Sequence, residues 1–194
     1  MRGSEIKLKN LSDKELGYLI GIFEGDGYIY HDKRSRHFSV EFYLNSEKDK
    51  DIIKFLSYLL EKAGMHVLYY KDKRFNCMRI RVRSKNFFNF MLKNKPKIVN
   101  SKHISNEFKI GFISGFIDAE GHIDKKKGFI EVVNTKRKVM MLIKKYLKDL
   151  GIDSSIKIKK KSWKSKKRTY RIYISLRFME INNISLKVKN QNKN

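Results

Sequence analysis

Cysteine, proline and tryptophan are nearly absent from this 194-residue chain, which has one of each. The single cysteine, Cys77, excludes an intramolecular disulfide and a cysteine-based zinc site. The five histidines are scattered and lack the spacing of metal ligands. A signal peptide is also missing, and no apolar run reaches the roughly 20 residues of a membrane span. We therefore expect an intracellular protein, in the cytoplasm of an archaeon or in an organelle, with no membrane partner.

Acidic side chains are scarce relative to basic ones. Lysine and arginine number 45 against 20 aspartates and glutamates, which gives a formal net charge of +25. Such an excess repels itself in a compact fold unless a polyanion neutralises it, so nucleic acid is the favoured partner. An acidic membrane surface is the weaker alternative, because no long lysine-faced amphipathic helix is present. The 13 phenylalanines and 10 tyrosines are enough to build a core.

One nine-residue pattern occurs twice, and the rest of the chain is organised around it. Residues 19–27 read LIGIFEGDG and residues 113–121 read ISGFIDAEG, with Gly21 and Gly115 in register 94 positions apart. Each copy is an apolar run that ends in an acid, Asp26 or Glu120, followed by glycine. Neither run is long enough for a membrane helix, and a chance repeat of both features is improbable.

Small residues recur every four positions through both copies, at Gly17, Gly21, Gly25, Gly111, Gly115 and Ala119. This spacing places them on one helix face, where another backbone can approach closely. Interior glycines cost about 1 kcal/mol each relative to alanine, so packing must offset them. The two copies are each other's obvious partner. Face-to-face packing then predicts that the two acids leave the same end of the helix pair side by side.

Two carboxylates held together in a basic field favour hard divalent cations, with Mg²⁺ as the default ion. The doubled pattern resembles the LAGLIDADG motif of homing endonucleases, in the single-chain form with two copies. The resemblance implies a site-specific endonuclease, encoded in an intron or a free-standing mobile element. It would make a metal-dependent double-strand break in a long DNA target by hydrolysing one phosphodiester per strand. The implied cofactor is two or more Mg²⁺ or Mn²⁺ ions, held by Asp26, Glu120 and the main-chain carbonyls of Gly25 and Ala119.

The remaining segments repeat in the same order, which predicts an α+β fold of two pseudo-symmetric αββαββα halves. We expect the first half over residues 1–96, a linker over 97–106 and the second half over 107–194. Each half contributes a four-stranded antiparallel sheet to a DNA-binding saddle, with the motif helices packed at the interface. One monomer with internal pseudo-two-fold symmetry then suffices.

Local signals place the helix ends. Ser12 and Glu15 form a capping box at the start of the first motif helix. Amphipathic helices are predicted over residues 46–63 and 135–150, and Gly64 and Gly151 end them.

A row of arginines marks one predicted strand. Arg79, Arg81 and Arg83 alternate with Ile80 and Val82, so one face enters a core while the other carries three like charges. Such a row is unfavourable in solvent but suits a phosphate-lined partner. Residues 157–168 are likewise basic at eight of twelve positions. The further predicted DNA contacts are Lys33, Arg34, Arg36, Tyr43, Lys73, Arg74, Lys125, Lys126, Lys127, Lys157, Lys159, Lys161, Trp163, Lys166, Arg168, Arg171 and Tyr173.

The resemblance also implies polar and basic residues that orient water around the metals, and the candidates lie where the first hairpin of each half gives way to helix. They are Asn45, Ser46 and Lys48 in the first half and Asn134, Thr135 and Lys136 in the second. Of these, we expect Ser46, Lys48, Asn134 and Lys136 to serve catalysis, the lysines by activating water or by stabilising charge. Contact with phosphate is the other role open to the lysines, and Lys102 and Lys125 are rivals. Glu24 and Asp118 are expected to be structural.

Two other functions fit the same features. A maturase would use the basic saddle to help an intron RNA fold, and an enzyme can combine both activities. A DNA-binding regulator would keep the fold without cleavage. The paired acids Asp26 and Glu120 favour cleavage, because a pure binding protein has no use for two repelling carboxylates.

Overall fold

The computed structural model describes residues 7–32, 34, 37–152, 154–159 and 167–177. The helices are α1 Asp13–Asp26, α2 Lys50–Lys62, α3 Lys85–Asn89, α4 Lys95–Val99, α5 Asn106–Glu120 and α6 Arg137–Asp149, with a π-helical segment at Phe90–Asn94. The strands are β1 Gly27–Asp32, β2 His37–Asn45, β3 Val67–Asp72, β4 Cys77–Val82, β5 Gly121–Asp124, β6 Phe129–Asn134, β7 Ile156–Lys159 and β8 Thr169–Ser175.

The strands form two antiparallel sheets of the same topology, β1-β2-β4-β3 and β5-β6-β8-β7. In each, a motif helix leads directly into the first strand. Gly27 pairs with Phe42, and Gly121 pairs with Val132. These two glycine pairs allow each residue of the first sheet to be matched with its equivalent in the second sheet. The predicted α+β class and the two-fold repeat of helix, hairpin, helix and hairpin are confirmed, and the final helix predicted for the second half lies outside the described residues.

The motif helices α1 and α5 pack directly against each other. A β-carbon built on Gly21 would overlap the carbonyl oxygen of Phe112, and one built on Gly115 would overlap that of Tyr18. Gly17 and Gly111 likewise face the backbone of the partner helix, and Gly25 faces the side chain of Ala119. The predicted packing of the two motif helices is confirmed.

The predicted helix ends agree closely with the structure. Ser12 and Glu15 cap α1 reciprocally, as the sequence predicts. Gly64 and Gly151 adopt positive φ angles, 74° and 78°, just beyond α2 and α6. In contrast, α2 begins at Lys50, four residues later than expected.

Side-chain hydrogen bonds explain the late start of α2. The Asn45 side-chain oxygen accepts from the main-chain N–H groups of Glu47 and Lys48, and the Asp49 carboxylate accepts from that of Asn45. These bonds offer the backbone an alternative to helix.

The segment between the halves is partly helical. α3, the π-helical segment and α4 carry the chain to Val99, so helix continues past the predicted end of the first half at residue 96 and into the expected linker. The hydroxyl of Tyr146 on α6 donates to the Val99 carbonyl over 2.8 Å. Ser105 caps α5 and donates to Asp13 on α1. The domain boundary at residues 97–106 stays a prediction. No helix in the described part of the chain is long and apolar enough to cross a membrane.

Candidate active site and nucleic-acid interface

The two motif acids occupy equivalent places at the ends of the packed helices. Asp26 is the last residue of α1 and Glu120 the last of α5. The following glycines donate to the carbonyls of Phe23 and Ile117, one turn back. Main-chain carbonyls after those positions have no intrahelical partner in an α-helix, and the negative end of the helix dipole lies there. Both features add to the negative character of the acidic pair.

Burial raises the pKa of both carboxyls, and repulsion by neighbouring carboxylates adds to the shift at Asp26. The pKa of Asp26 rises to about 7 because the group is desolvated and because the charges of Glu120 and Asp49 oppose its ionisation. Desolvation also raises the pKa of Glu120, while Lys136 and a hydrogen bond from Asn134 favour its charged form. A bound cation would favour the ionised form of both groups, because an opposite charge nearby lowers the pKa of a carboxyl.

Two of the predicted polar residues of the second half reach this pair. The Asn134 amide donates to Glu120 over 2.8 Å, and its oxygen accepts from the main chain of Lys136 over 2.7 Å. The Lys136 ammonium group crosses to the first half and donates to the Glu24 carbonyl. Its charge favours ionisation of both motif acids. The structure thus brings Asp26, Glu120, Asn134 and Lys136 together.

The first half differs at the corresponding positions. Since Gly27 pairs with Phe42 and Gly121 with Val132, Asn134 corresponds to Leu44 in register, and not to Asn45. Leu44 is buried in the core. Asp49, the residue before α2, takes the place that Lys136 holds before α6. The acid Asp26 therefore has a further carboxylate beside it.

Two sequence-predicted residues of the first half lie elsewhere. Lys48 is exposed on the turn before α2, where its main-chain N–H donates to Asn45. Ser46 is buried, with a hydroxyl that finds no hydrogen-bond partner among the described residues, and it lines a groove between α2 and β3. The structure does not bring either side chain into the hydrogen-bonded group around the acids, and their catalytic roles stay predictions. The rivals Lys102 and Lys125 are exposed, the latter on the distal β5–β6 turn.

The acids two residues before the catalytic candidates have structural partners. Lys95 forms an ion pair with Glu24. The Tyr18 hydroxyl donates to the buried Asp118 carboxylate over 2.7 Å. Sequence reasoning missed Tyr18, Lys95 and Asp49. Only Asp49 carried a local signal in the sequence, because aspartate is a preferred residue just before a helix. The signal was missed because α2 was predicted to begin four residues before its actual start at Lys50.

The donor set fits divalent cations. It consists of two carboxylates and the carbonyls of the last helical turns, all oxygen ligands as Mg²⁺ prefers. Among the described residues no group of three histidine, cysteine or acidic side chains forms a metal cage. Mg²⁺ usually keeps several waters and needs one or two protein carboxylates, so the acid pair is sufficient. Gly25 and Ala119, whose main-chain carbonyls are predicted metal ligands, lie one residue before the last residue of α1 and α5.

The first sheet presents its predicted contacts on the face away from the core. Ile80 and Val82 are buried, so Arg79 and Arg81 of β4 lie on the opposite face, which Tyr43 of β2 shares. Arg74 lies on the β3–β4 turn with Lys73, Arg34 lies on the β1–β2 turn, and Arg83 follows β4.

The second sheet repeats this arrangement. Ile172 and Ile174 are buried, which puts Arg171 and Tyr173 of β8 on the other face. β7 carries Lys157 and Lys159, Arg168 precedes β8, and the β5–β6 turn carries Lys125, Lys126 and Lys127. The remaining predicted contacts, Lys33, Arg36, Lys161, Trp163 and Lys166, lie outside the described residues.

An acid pair at the ends of two glycine-faced helices, flanked by two sheets with basic faces, defines one class of protein. The chain belongs to the LAGLIDADG family, because the model of the LAGLIDADG-like domain matches residues 13–93 and 107–181. The resemblance inferred from the doubled motif is confirmed.

Two curated relatives come from Methanocaldococcus jannaschii. The uncharacterized protein MJ0398 is 29% identical over 150 residues, which cover 76% of this chain and 52% of MJ0398. The uncharacterized protein MJ0314 is 28% identical over 159 residues, covering 76% and 59%. The chain thus spans little more than half the length of these relatives.

Solved structures share the fold. Mesophilic variants of the homing endonuclease I-DmoI match with a TM-score of 0.68 at 20% identity, over 91% of this chain and 98% of theirs. I-DmoI in complex with DNA and Mn gives 0.67 at 21% identity, over 92% and 98%. Full-length DUF199/WhiA from Thermatoga maritima gives 0.57 at 19% identity, over 87% and 54%. The two-part fold is therefore shared both with the homing endonuclease I-DmoI and with DUF199/WhiA.

Proposed function

We propose that this protein is a site-specific DNA endonuclease that makes a metal-dependent double-strand break, with Asp26 and Glu120 as the metal ligands. The observation that carries the proposal is the convergence of these acids with Lys136 and Asn134 at the junction of two basic sheets. The solved neighbours support it, since I-DmoI is described as a homing endonuclease in complexes with DNA and with Mn or Ca. Mg²⁺ or Mn²⁺ is the proposed ion.

The residues around the acid pair have different proposed roles, which follow from where each side chain lies. Asn134 orients the Glu120 carboxylate, and the ammonium of Lys136 lies where negative charge on a phosphate would gather. Asp26 and Glu120 would hold the cations, which would supply a water nucleophile of lowered pKa and neutralise the leaving oxygen. In this proposal each motif acid serves one strand of the duplex, so a single copy of the chain would suffice for a double-strand break. An origin in an intron belongs to the same proposal.

The sheet faces supply the binding surface. Antiparallel strands can lie in a major groove, where base pairs present distinct donor and acceptor patterns. Lysines and arginines around that face would neutralise phosphates and make binding strongly salt-dependent. The net charge of +25 fits such a partner.

Cleavage of a cognate duplex by Asp26→Asn and Glu120→Gln tests the proposal. The target is first isolated from a randomised double-stranded DNA pool by binding, and the wild type is then assayed on it with Mg²⁺. Each variant should lose double-strand cleavage and keep its affinity for the target, because it loses a metal ligand and a negative charge together. Full cutting by either variant contradicts the assignment of Asp26 and Glu120 as metal ligands. Thermal melting of each variant distinguishes the loss of a metal ligand from the loss of the fold.

A wild type that binds one sequence and cuts nothing would favour the non-cleaving DNA-binding alternative. Matched variants at an exposed acid, Glu47→Gln, control for the change in charge.

A further inference from the structure

A buried carboxylate lies under the outer face of the first sheet. Glu41 is 2% exposed and accepts hydrogen bonds from Ser39 over 3.1 Å and from the Tyr43 hydroxyl over 2.6 Å. Arg81, its direct partner across the strands, donates its Nε to Glu41 over 2.6 Å. The guanidinium of Arg81 is therefore held down on the sheet by an ion pair, since separating it would leave a buried charge without a partner.

Arg79, two positions earlier on β4, shares the Tyr70 ring with Arg81, whose guanidinium carbon lies 5.4 Å from the ring centre, but it is not held by an acid. Its guanidinium carbon lies 4.5 Å from the centre of the Tyr70 ring, and the group also lies beside the Tyr43 hydroxyl. No carboxylate of the described residues is within ion-pair distance of it. Tyr43, Tyr70 and Arg79 line an open concavity of about 760 Å³. The arginine is thus oriented by an aromatic platform while its charge stays available to a ligand.

The second sheet lacks this arrangement among the described residues. The pairing of the two motif glycines makes Phe42 of the first sheet equivalent to Val132 of the second. The next residues, Tyr43 and Val133, pair with Arg79 and Arg171, so Arg171 corresponds to Arg79. Lys157 stands opposite Arg171 where Tyr70 stands opposite Arg79. Arg171 donates its Nε to Glu131 over 2.7 Å, so its charge is already paired.

We infer that Arg79 is a specificity-determining residue of the first half, which reads a guanine edge in the major groove, and that Arg81 and Arg171 are held by acids and do not discriminate bases. The inference rests on the proposed DNA binding. A guanidinium fork matches the O6 and N7 acceptors of guanine, and lysine cannot reproduce that geometry. Tyr70 is a positioning residue, because stacking fixes the plane of the fork before DNA arrives.

Binding selection without cleavage tests the inference. The full-length protein and its variants are incubated in Ca²⁺ with a randomised double-stranded DNA pool, and bound sequences are read after several rounds. Arg79→Lys should lower the enrichment of guanine at one position by about tenfold while affinity for random DNA is kept. The matched variant Arg171→Lys should leave the enriched sequence unchanged. Tyr70→Leu should weaken the same guanine preference.

The results separate the inference from the proposed nuclease activity. An unchanged enriched sequence for Arg79→Lys, or an equal loss for Arg171→Lys, would overturn the inference, as would a wild type that enriches no sequence. Arg79→Ala repeats the test if the lysine variant fails to fold in a melting assay. A wild type that enriches a guanine through Arg79 and cuts nothing with Mg²⁺ leaves the inference standing and removes the nuclease.

Discussion

The Tyr18 hydroxyl donates to the carboxylate of Asp118 over 2.7 Å, and this buried hydrogen bond joins the two motif helices across the centre of the protein. Desolvation and the neighbouring Asp118 charge raise the pKa of Tyr18, which keeps its phenol protonated as a donor. Tyr18→Phe should therefore cost about 2 kcal/mol of unfolding free energy, because a buried carboxylate loses a partner. Urea unfolding measures the loss. Tyr58→Phe, at a half-exposed ring, is the control, and an equal effect of both would refute this role.

Gly21→Ala should destabilise the protein by about 3 kcal/mol. The added methyl group would overlap the Phe112 carbonyl, a backbone atom that cannot move aside without separating the helices. Gly115→Ala should behave alike against Tyr18. The control is Lys54→Ala on the exposed side of α2. Alanine ordinarily favours a helix over glycine, so a rise in melting temperature for Gly21→Ala would disprove the close contact.

Asp26→Asn should stabilise the metal-free protein at high pH. The carboxyl has a folded pKa of about 7 against an ordinary value of 3.8, so between these pH values the folded state keeps a proton that the unfolded state has lost. Stability contributed by this proton falls as pH rises from about 4 through 7. The variant should gain little at pH 4 and about 2 kcal/mol at pH 8, less than a fully buried group would give. Unfolding in EDTA across that range measures it, with Glu47→Gln as control. A gain independent of pH would contradict the shift.

Lys136→Met should lower the rate of cleavage about 100-fold, with little loss of affinity for DNA, because a preorganised positive charge is removed from the acid pair. Lys48→Met removes the corresponding lysine predicted from sequence in the first half. Single-turnover assays compare the two. Equal losses would restore the symmetric prediction, and a larger loss for Lys48→Met would reverse the assignment made from the structure.

Replacing Lys160, Lys161, Lys166 and Lys167 with alanine should weaken binding to all DNA. The slope of log affinity against log salt should fall by up to four contacts, at about 0.9 for each phosphate. Replacing Lys145 and Lys148, exposed on α6 at the back of the second sheet, should not change it. Titrations of cognate and scrambled duplexes at several salt concentrations make the comparison. A loss confined to cognate DNA would contradict a phosphate role.

The sequence was informative where local patterns decide the structure. Capping at Ser12, the glycine ends of two helices and the alternation around Ile80 all depend on residues near one another in the chain. The helix pair was also predictable, since its spacing of small residues is repeated and only close packing explains it.

Long-range partners were not predictable. Glu41 looks like an ordinary strand residue until Arg81, 40 positions away, is placed opposite it. The different positions of Asn45 and Asn134 were hidden for a related reason, because the two strands reach their ends one residue out of step and the side chains point to opposite faces. Because α2 was expected to begin four residues early, Asp49 was not recognised as a neighbour of Asp26.

The different neighbours of the two acids should affect the rates at which the two DNA strands are cut. The Lys136 charge acts on both acids, but Glu120 also accepts a hydrogen bond from the Asn134 amide, whereas Asp26 has a second aspartate, Asp49, nearby. A nuclease built on such a pair would open the two strands of its target at different speeds. A duplex with one strand broken should then accumulate before the linear product, and its lifetime would record how unequal the two halves of the protein have become.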